Sequence, residues 1–285
     1  MLKQRSSKEE GEEKKNPPKA LTQMEKDTDF IIKELEAVSE KRARQEREKE
    51  RPSGEIMAGE QQGQAQQQGQ AQQQGQQNQE NQDQKQNSDQ QNKQGQQQNQ
   101  QQVQAQQQPA KTEQPVPQPN WTELEAKIKI LHESWNAYEP NAKTDGAMGE
   151  TMKGFEEQLN SLTEQIIARD EEKTLAAANS LYSYYPDFFK LYAHKQPPEV
   201  KEVKGLTRQI ILLGQQGKWD ETKPLTEKIK FAWQEAKTKM KKPDKALNSR
   251  IDFAIADFLS VVSDKNLELA KIKGDILINN LDNVE

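Results

Sequence analysis

Thr174–Tyr192 reads TLAAANSLYSYYPDFFKLY, and the fold reading turns on it. A helical segment runs into an aromatic elbow, where Tyr182, Tyr184, Tyr185, Phe188, Phe189 and Tyr192 crowd around Pro186. The proline ring disfavours helical geometry in the residue before it, so the helix is expected to break at Tyr185. A short helical piece, Asp187 to His194, should follow.

Upstream of the elbow, Met148, Met152, Phe155, Leu159, Leu162 and Ile166 recur at three- and four-residue spacing, the signature of one apolar helix face. Arg169-Asp170 joins this helix to the next almost without a loop, and Asp170, Glu171 and Glu172 suit the positive end of a helix dipole. Trp121, Leu124, Ile128, Leu131, Trp135 and Tyr138 make an earlier stripe that should end at Pro140, with Asn120 as N-cap and Glu123 as its reciprocal partner.

Downstream, Pro198 is placed to begin a helix bearing Val200, Val203, Leu206, Ile210 and Leu213, closed by Gly214 and Gly217. Asp220 should open the next, Leu225 to Met240, and the basic KTKMKK of Lys237–Lys242 connects it onward. Leu247 to Val261 form a sixth helix, and Asp264 is expected to cap a seventh, Leu267 to Leu281. No segment alternates with period two, so no sheet is expected. The fold class is all-α: an antiparallel bundle of αα-hairpins, about seven helices over 120–285. A faint echo links Phe155–Tyr182 to Ile251–Ile278, each a helix, a single Asp cap and a helix.

The N-terminal part differs in composition. Residues 1–19 are charged and expected to be disordered. Over 20–51, Leu21, Met24, Thr28, Ile31, Leu35 and Val38 give one narrow stripe before the charged run SEKRARQEREKER. A stripe that short is marginal as an isolated helix in water. The expectation is a solvated amphipathic helix, with self-association through Leu21, Met24, Ile31, Leu35 and Val38 as the sharper alternative. Residues 52–119 are low complexity, with GQAQQQ twice in succession from Gly63. The four large apolar residues there, Ile56, Met57, Val103 and Val116, cannot offset an ordering cost of about 1–2 kcal/mol per residue. The stretch reads as a glutamine-rich disordered linker, spanning roughly 45 Å as a random coil.

Composition narrows the chemistry. Hydrophobic residues are 31% of the chain, well below the roughly 45–50% of an ordinary globular domain, and the deficit lies before residue 120. Residues 120–285 carry 24 basic and 27 acidic side chains, which is no electrostatic footprint for nucleic acid. With no cysteine, disulfides, thiolate metal sites and thiol nucleophiles are excluded. No apolar run reaches the length of a transmembrane helix. His132 and His194, the two histidines, lie in different elements, and a histidine metal site needs converging ligands. The GQQGKW stretch at Gly214 lacks the spacing of a phosphate loop and reads as a helix terminator. No catalytic constellation, cofactor site or metal site is expected. The elbow aromatics Tyr182, Tyr184, Tyr185, Phe188, Phe189 and Tyr192 are the candidate partner-binding surface, against the plainer reading that they fill a corner between helices.

The run AANSLYSYYPDFFKLY (Ala177–Tyr192), with PPEV at Pro197, GKWDE at Gly217 and KIKGDILINNL (Lys271–Leu281), resembles uncharacterised all-helical cell-envelope lipoproteins of Gram-positive bacteria. The resemblance covers about 120–285. It implies a tethered, extracytoplasmic helical domain and supplies no site residues. The leader and the lipid-bearing cysteine of that pattern have no counterpart here, so an anchored form requires a start upstream of Met1. The expected function is non-enzymatic: a membrane-tethered domain binding a protein or envelope partner. The alternatives are a cytoplasmic scaffold using the glutamine-rich tract and N-terminal helix, and a small-ligand carrier or enzyme with a pocket in the bundle.

Overall fold

The computed structural model describes residues 14–50 and 115–285. Of the expected linker over 52–119, residues 52–114 lie outside them, as do residues 1–13 of the tail expected to be disordered over 1–19. The rest of that tail is ordered, with Lys15 O accepting from Ala193 N and the first helix beginning at Lys19. Among the described residues the fold is all-α: α1 (Lys19–Glu50), α2 (Trp121–Thr144), α3 (Gly149–Ala168), α4 (Glu171–Tyr182), α5 (Tyr185–Phe189), α6 (Pro198–Gln215), a 3-10 turn (Trp219–Thr222), α7 (Lys223–Lys239), α8 (Lys245–Ser263) and α9 (Leu267–Leu281).

Local chemistry sets most boundaries. Asn120 Oδ1 accepts from the Glu123 amide while its own amide donates to the Glu123 carboxylate, and Asp170 accepts from Lys173 N. Pro198 begins α6, and Gly217, at φ +72°, turns the chain out of it. Several expectations shift: Asp220 falls in the 3-10 turn, so α7 opens at Lys223, and the short helix after the elbow ends at Phe189 rather than His194. The helix through Tyr138 continues across Pro140 to Thr144, because the carbonyl that Pro140 orphans belongs to solvent-exposed Asn136 while Ala142 is buried beyond it. The elbow breaks at Ser183–Tyr184, one residue early, and Pro186 sits in the first turn of α5 where no amide is needed. Asn266, accepting from Leu269 N, caps α9, and Asp264 ends α8 instead.

The larger difference concerns α1. Of the described residues, 14–39 and 118–285 form one compact body, and 40–50 and 115–117 belong to a second. In the first body, Leu21, Met24, Ile31, Ile32 and Leu35 belong to one hydrophobic core with α2, α3, α4 and α5, and Val38 is buried as well. The stripe expected to be solvated or to bind a second copy is therefore consumed within its own chain. Asn120 N donates to Glu34 Oε1, holding the start of α2 beside α1. In the second body Arg42 Nε donates to Pro117 O at 2.7 Å. The segment 40–117 is thus an insertion between the first and second helices of the bundle rather than a connector to a separate helix.

With α1 in place, the bundle resolves into two halves of four helices, each with its own core: α1 to α4, and α6 to α9. Their registers match. Leu21, Met24, Thr28 and Ile31 of α1 correspond to Val200, Val203, Thr207 and Ile210 of α6, all buried, and both threonine hydroxyls bond back to the carbonyl four residues earlier. Trp135 of α2 matches Trp233 of α7. Phe155, Leu159, Leu162 and Ile166 match Ile251, Ile255, Phe258 and Val262. Arg169 (φ 53°) and Lys265 (φ 54°) take the same left-handed conformation directly before the caps Asp170 and Asn266. The echo between Phe155–Tyr182 and Ile251–Ile278 is thus one part of a repeat spanning the whole bundle, and the 3-10 turn of the second half stands where 40–117 enters the first.

Candidate functional site

The six elbow aromatics converge, but inward. Tyr182, Tyr185, Phe188, Phe189 and Tyr192 are buried, and only Tyr184 is half-buried, its ring lying across Gly154, where a Cβ would stand 2.5 Å from the hydroxyl. Phe155 is the hub: it meets Trp135 at 4.5 Å and takes Tyr184, Tyr185 and Phe188 edge-on at 5.4–6.3 Å, the arrangement ring quadrupoles favour. The hydroxyls of the three buried tyrosines are satisfied internally. Tyr185 pairs with Thr28 Oγ1 at 2.8 Å, Tyr182 donates to Glu25 at 3.3 Å and Tyr192 donates to Asp145 at 2.9 Å. Burial raises the phenols of Tyr182 and Tyr185 well above their ordinary range. These rings fill the corner that seats α1, so the expected binding surface is replaced by a core; apart from half-buried Tyr184, only the edge of Phe189 borders open space.

The seam between the halves is polar and built on equivalent positions. Asp29 and Arg208 occupy the same place in α1 and α6, and they bond each other at 2.7 Å, as residues near a two-fold axis do. The Arg208 side chain is 2% exposed and lies 5.2 Å over the Tyr182 ring, with Nε and Nη1 unbonded. Burial opposes its charge, but Asp29 and Glu36 outweigh it and raise its pKa. Asp29 is also held by Lys33 at 2.8 Å; burial raises its carboxyl, and Arg208 and Lys33 bring it below the usual range. Burial pushes Glu36 up to about 7 against the pull of Arg208. Lys201 bridges the seam a turn away, bonding Glu25 at 2.7 Å and capping the Phe189 ring at 4.4 Å.

Where this seam reaches the surface there is a cleft of about 510 Å³, floored by Phe189, Pro17 and Ala193 and edged by His194, Lys195, Lys201 and Lys241. Ala193 N donates to Lys15 O, fixing the chain before α1 against the end of the elbow. Gln196 Nε2 donates to the carbonyls of Leu281 and Val284, pinning the linker between the halves. Burial, then Lys14 and Lys241, lower the His194 pKa, against the pull of Glu199. Lys195 and Lys241 have no ion-pair partner among the described residues. Two neighbouring lysines are engaged: Lys239 bonds buried Glu199 at 2.6 Å and Lys237 bonds Asp252 at 2.8 Å. The arrangement presents cations around an apolar floor. It suits an acidic group carried on an apolar body.

The structure thus joins three signals that stood apart in the sequence: the elbow through Phe189, His194 and the Lys237–Lys242 run. His132, by contrast, bonds Thr163 Oγ1 at 2.8 Å between α2 and α3, as a packed surface histidine does. A second, smaller cavity of about 260 Å³ lies between the 3-10 turn and the end of α8, lined by Trp219, Lys223, Val262 and Lys265. Among the described residues, no three histidines or carboxylates converge as metal ligands, and no helix is long and apolar enough to cross a membrane. Comparison with family models, curated proteins and solved structures gives no match.

Proposed function

We propose that this chain is a non-enzymatic binding module of the cell envelope, held at the membrane and engaging a protein or envelope component through the cleft at the joint of its two halves. The observation that carries the reading is the pairing of two uncommitted cations, Lys195 and Lys241, with the apolar floor at Phe189. The cations and hydroxyls elsewhere along the seam already have partners within the chain. The partner accordingly carries carboxylate or phosphate groups beside apolar surface. The envelope location rests on the resemblance of Ala177–Tyr192 and Lys271–Leu281 to Gram-positive helical lipoproteins.

The test is site-specific photo-crosslinking in cells, with the probe at Lys241 and a control probe at Lys153 on α3. The reading predicts a discrete adduct from position 241 alone, recovered with membranes and lost with Lys195→Glu. Equal adducts from both positions, or none, would overturn it. The cleft volume also lies in the range of small-ligand sites, about 300–1,000 Å³, and favours a carrier as the second reading. An adduct-free cleft that instead retains a small molecule through purification would support that second reading.

A further inference from the structure

The repeat supplies an internal control on exposed residues. On the outer face of the α8–α9 hairpin, Phe253 is 74% exposed, Ile272 56%, Ile276 51% and Leu269 41%. Leu269, Ile272 and Ile276 are one stripe along α9. The Asp257–Lys273 pair, at 3.5 Å, marks the hairpin register, which places Phe253, a turn before Asp257, level with Ile276. The matching positions of the first half are Glu157, Ala176, Ser180 and Lys173. Core positions are apolar in both halves, so the four-helix fold needs none of these apolar residues on the outside. Their exposure is a property of the second half alone.

We propose that a second copy of this chain docks on this face. The surrounding charges choose the occupant. Arg250 and Asp257 flank Phe253 on the same side of α8, three residues before and four after, and Arg250 has no partner among the described residues. Two α8 helices crossing antiparallel at Phe253 bring Arg250 of each copy to Asp257 of the other, a self-complementary pairing typical of an isologous interface. The rim also mixes Glu268 and Asp275 with Lys271 and Lys273. Mixed signs suit a like partner and disfavour an anionic lipid surface, which selects for cations alone. Four exposed side chains make a patch of a few hundred Å², short of the roughly 800 Å² per partner in stable complexes. The dimer is therefore reversible, with a dissociation constant in the micromolar range or weaker.

Sedimentation velocity of the full chain from low to several hundred micromolar decides it, with circular dichroism and thermal melting to confirm each variant's fold. Wild type is expected to shift from monomer to dimer with concentration. Phe253→Glu should weaken that association at least about tenfold. Arg250→Asp should weaken it too, and Arg250→Asp with Asp257→Arg should restore it. A monomer at every concentration would overturn the proposal, as would a dimer indifferent to Phe253→Glu. Co-sedimentation with phosphatidylglycerol vesicles that is lost in Phe253→Glu, without any dimer, would also overturn it in favour of a lipid-facing patch.

Discussion

The seam between the halves predicts an asymmetric response to removing its charges. Arg208 and Asp29 bond each other, yet their situations differ: side-chain exposure is 2% for Arg208 and 27% for Asp29. Asp29 has a second cation in Lys33, whereas both remaining guanidinium nitrogens of Arg208 are already unbonded. Arg208→Met leaves a carboxylate that keeps Lys33 and some water, and should cost only about 1 kcal/mol. Asp29→Leu strands a buried guanidinium, with Glu36 as its remaining anionic neighbour. Breaking a buried pair from that side costs about 3–5 kcal/mol. For a domain of this size that is a fall of roughly 6–20 °C in melting midpoint, against about 2–4 °C for Arg208→Met. The double variant removes both charges and should lie above Asp29→Leu, near wild type. Urea and thermal unfolding of the four proteins at neutral pH complete the cycle. An Arg208→Met variant at least as destabilised as Asp29→Leu, or a strictly additive double variant, would refute the reasoning.

Glu36 adds a pH dependence at the same seam. Its folded value is raised to about 7 from 4.5, so its contribution is fully present below about pH 4.5 and is lost as pH rises through 7. Glu36→Gln should therefore gain on wild type between pH 5 and pH 8, by on the order of 1–3 kcal/mol in urea unfolding; a difference that does not change with pH would count against it. Replacing 51–114 with a ten-residue Gly-Ser linker should leave the bundle folded and raise its stability by up to about 1.5 kcal/mol, since the shorter loop costs less to close. Loss of the cooperative transition in that variant would contradict an insertion between α1 and α2.

The helical class and most boundaries were legible because they depend on neighbours in sequence: apolar spacing, the Asn120 and Asp170 caps, and Pro198 at the start of α6. What escaped depends on long-range pairing. Leu21, Met24 and Ile31 look like a narrow, weak stripe by themselves, and only the aromatic corner of Tyr182, Tyr185 and Phe188 makes them core. Thr28 reads as a tolerated polar residue until Tyr185 is found bonded to it. The repeat was half visible in Phe155–Tyr182 and Ile251–Ile278, but 40–117 separates α1 from its sequel and hides the correspondence with α6. At the cleft, His194 and the Lys237–Lys242 run stood out in sequence only as separate features, since nothing local says that a lysine-rich connector and an elbow will meet.

That α1 completes the first half is the claim on which the repeat, the seam and the cleft all depend. Native-state amide hydrogen exchange across residues 21–35 tests it most directly. The account predicts protection in Met24–Leu35 comparable to that of Val203–Gly214 in α6, both opening only with the global transition. Exchange of Met24–Leu35 within seconds, while α6 remains protected, would contradict it.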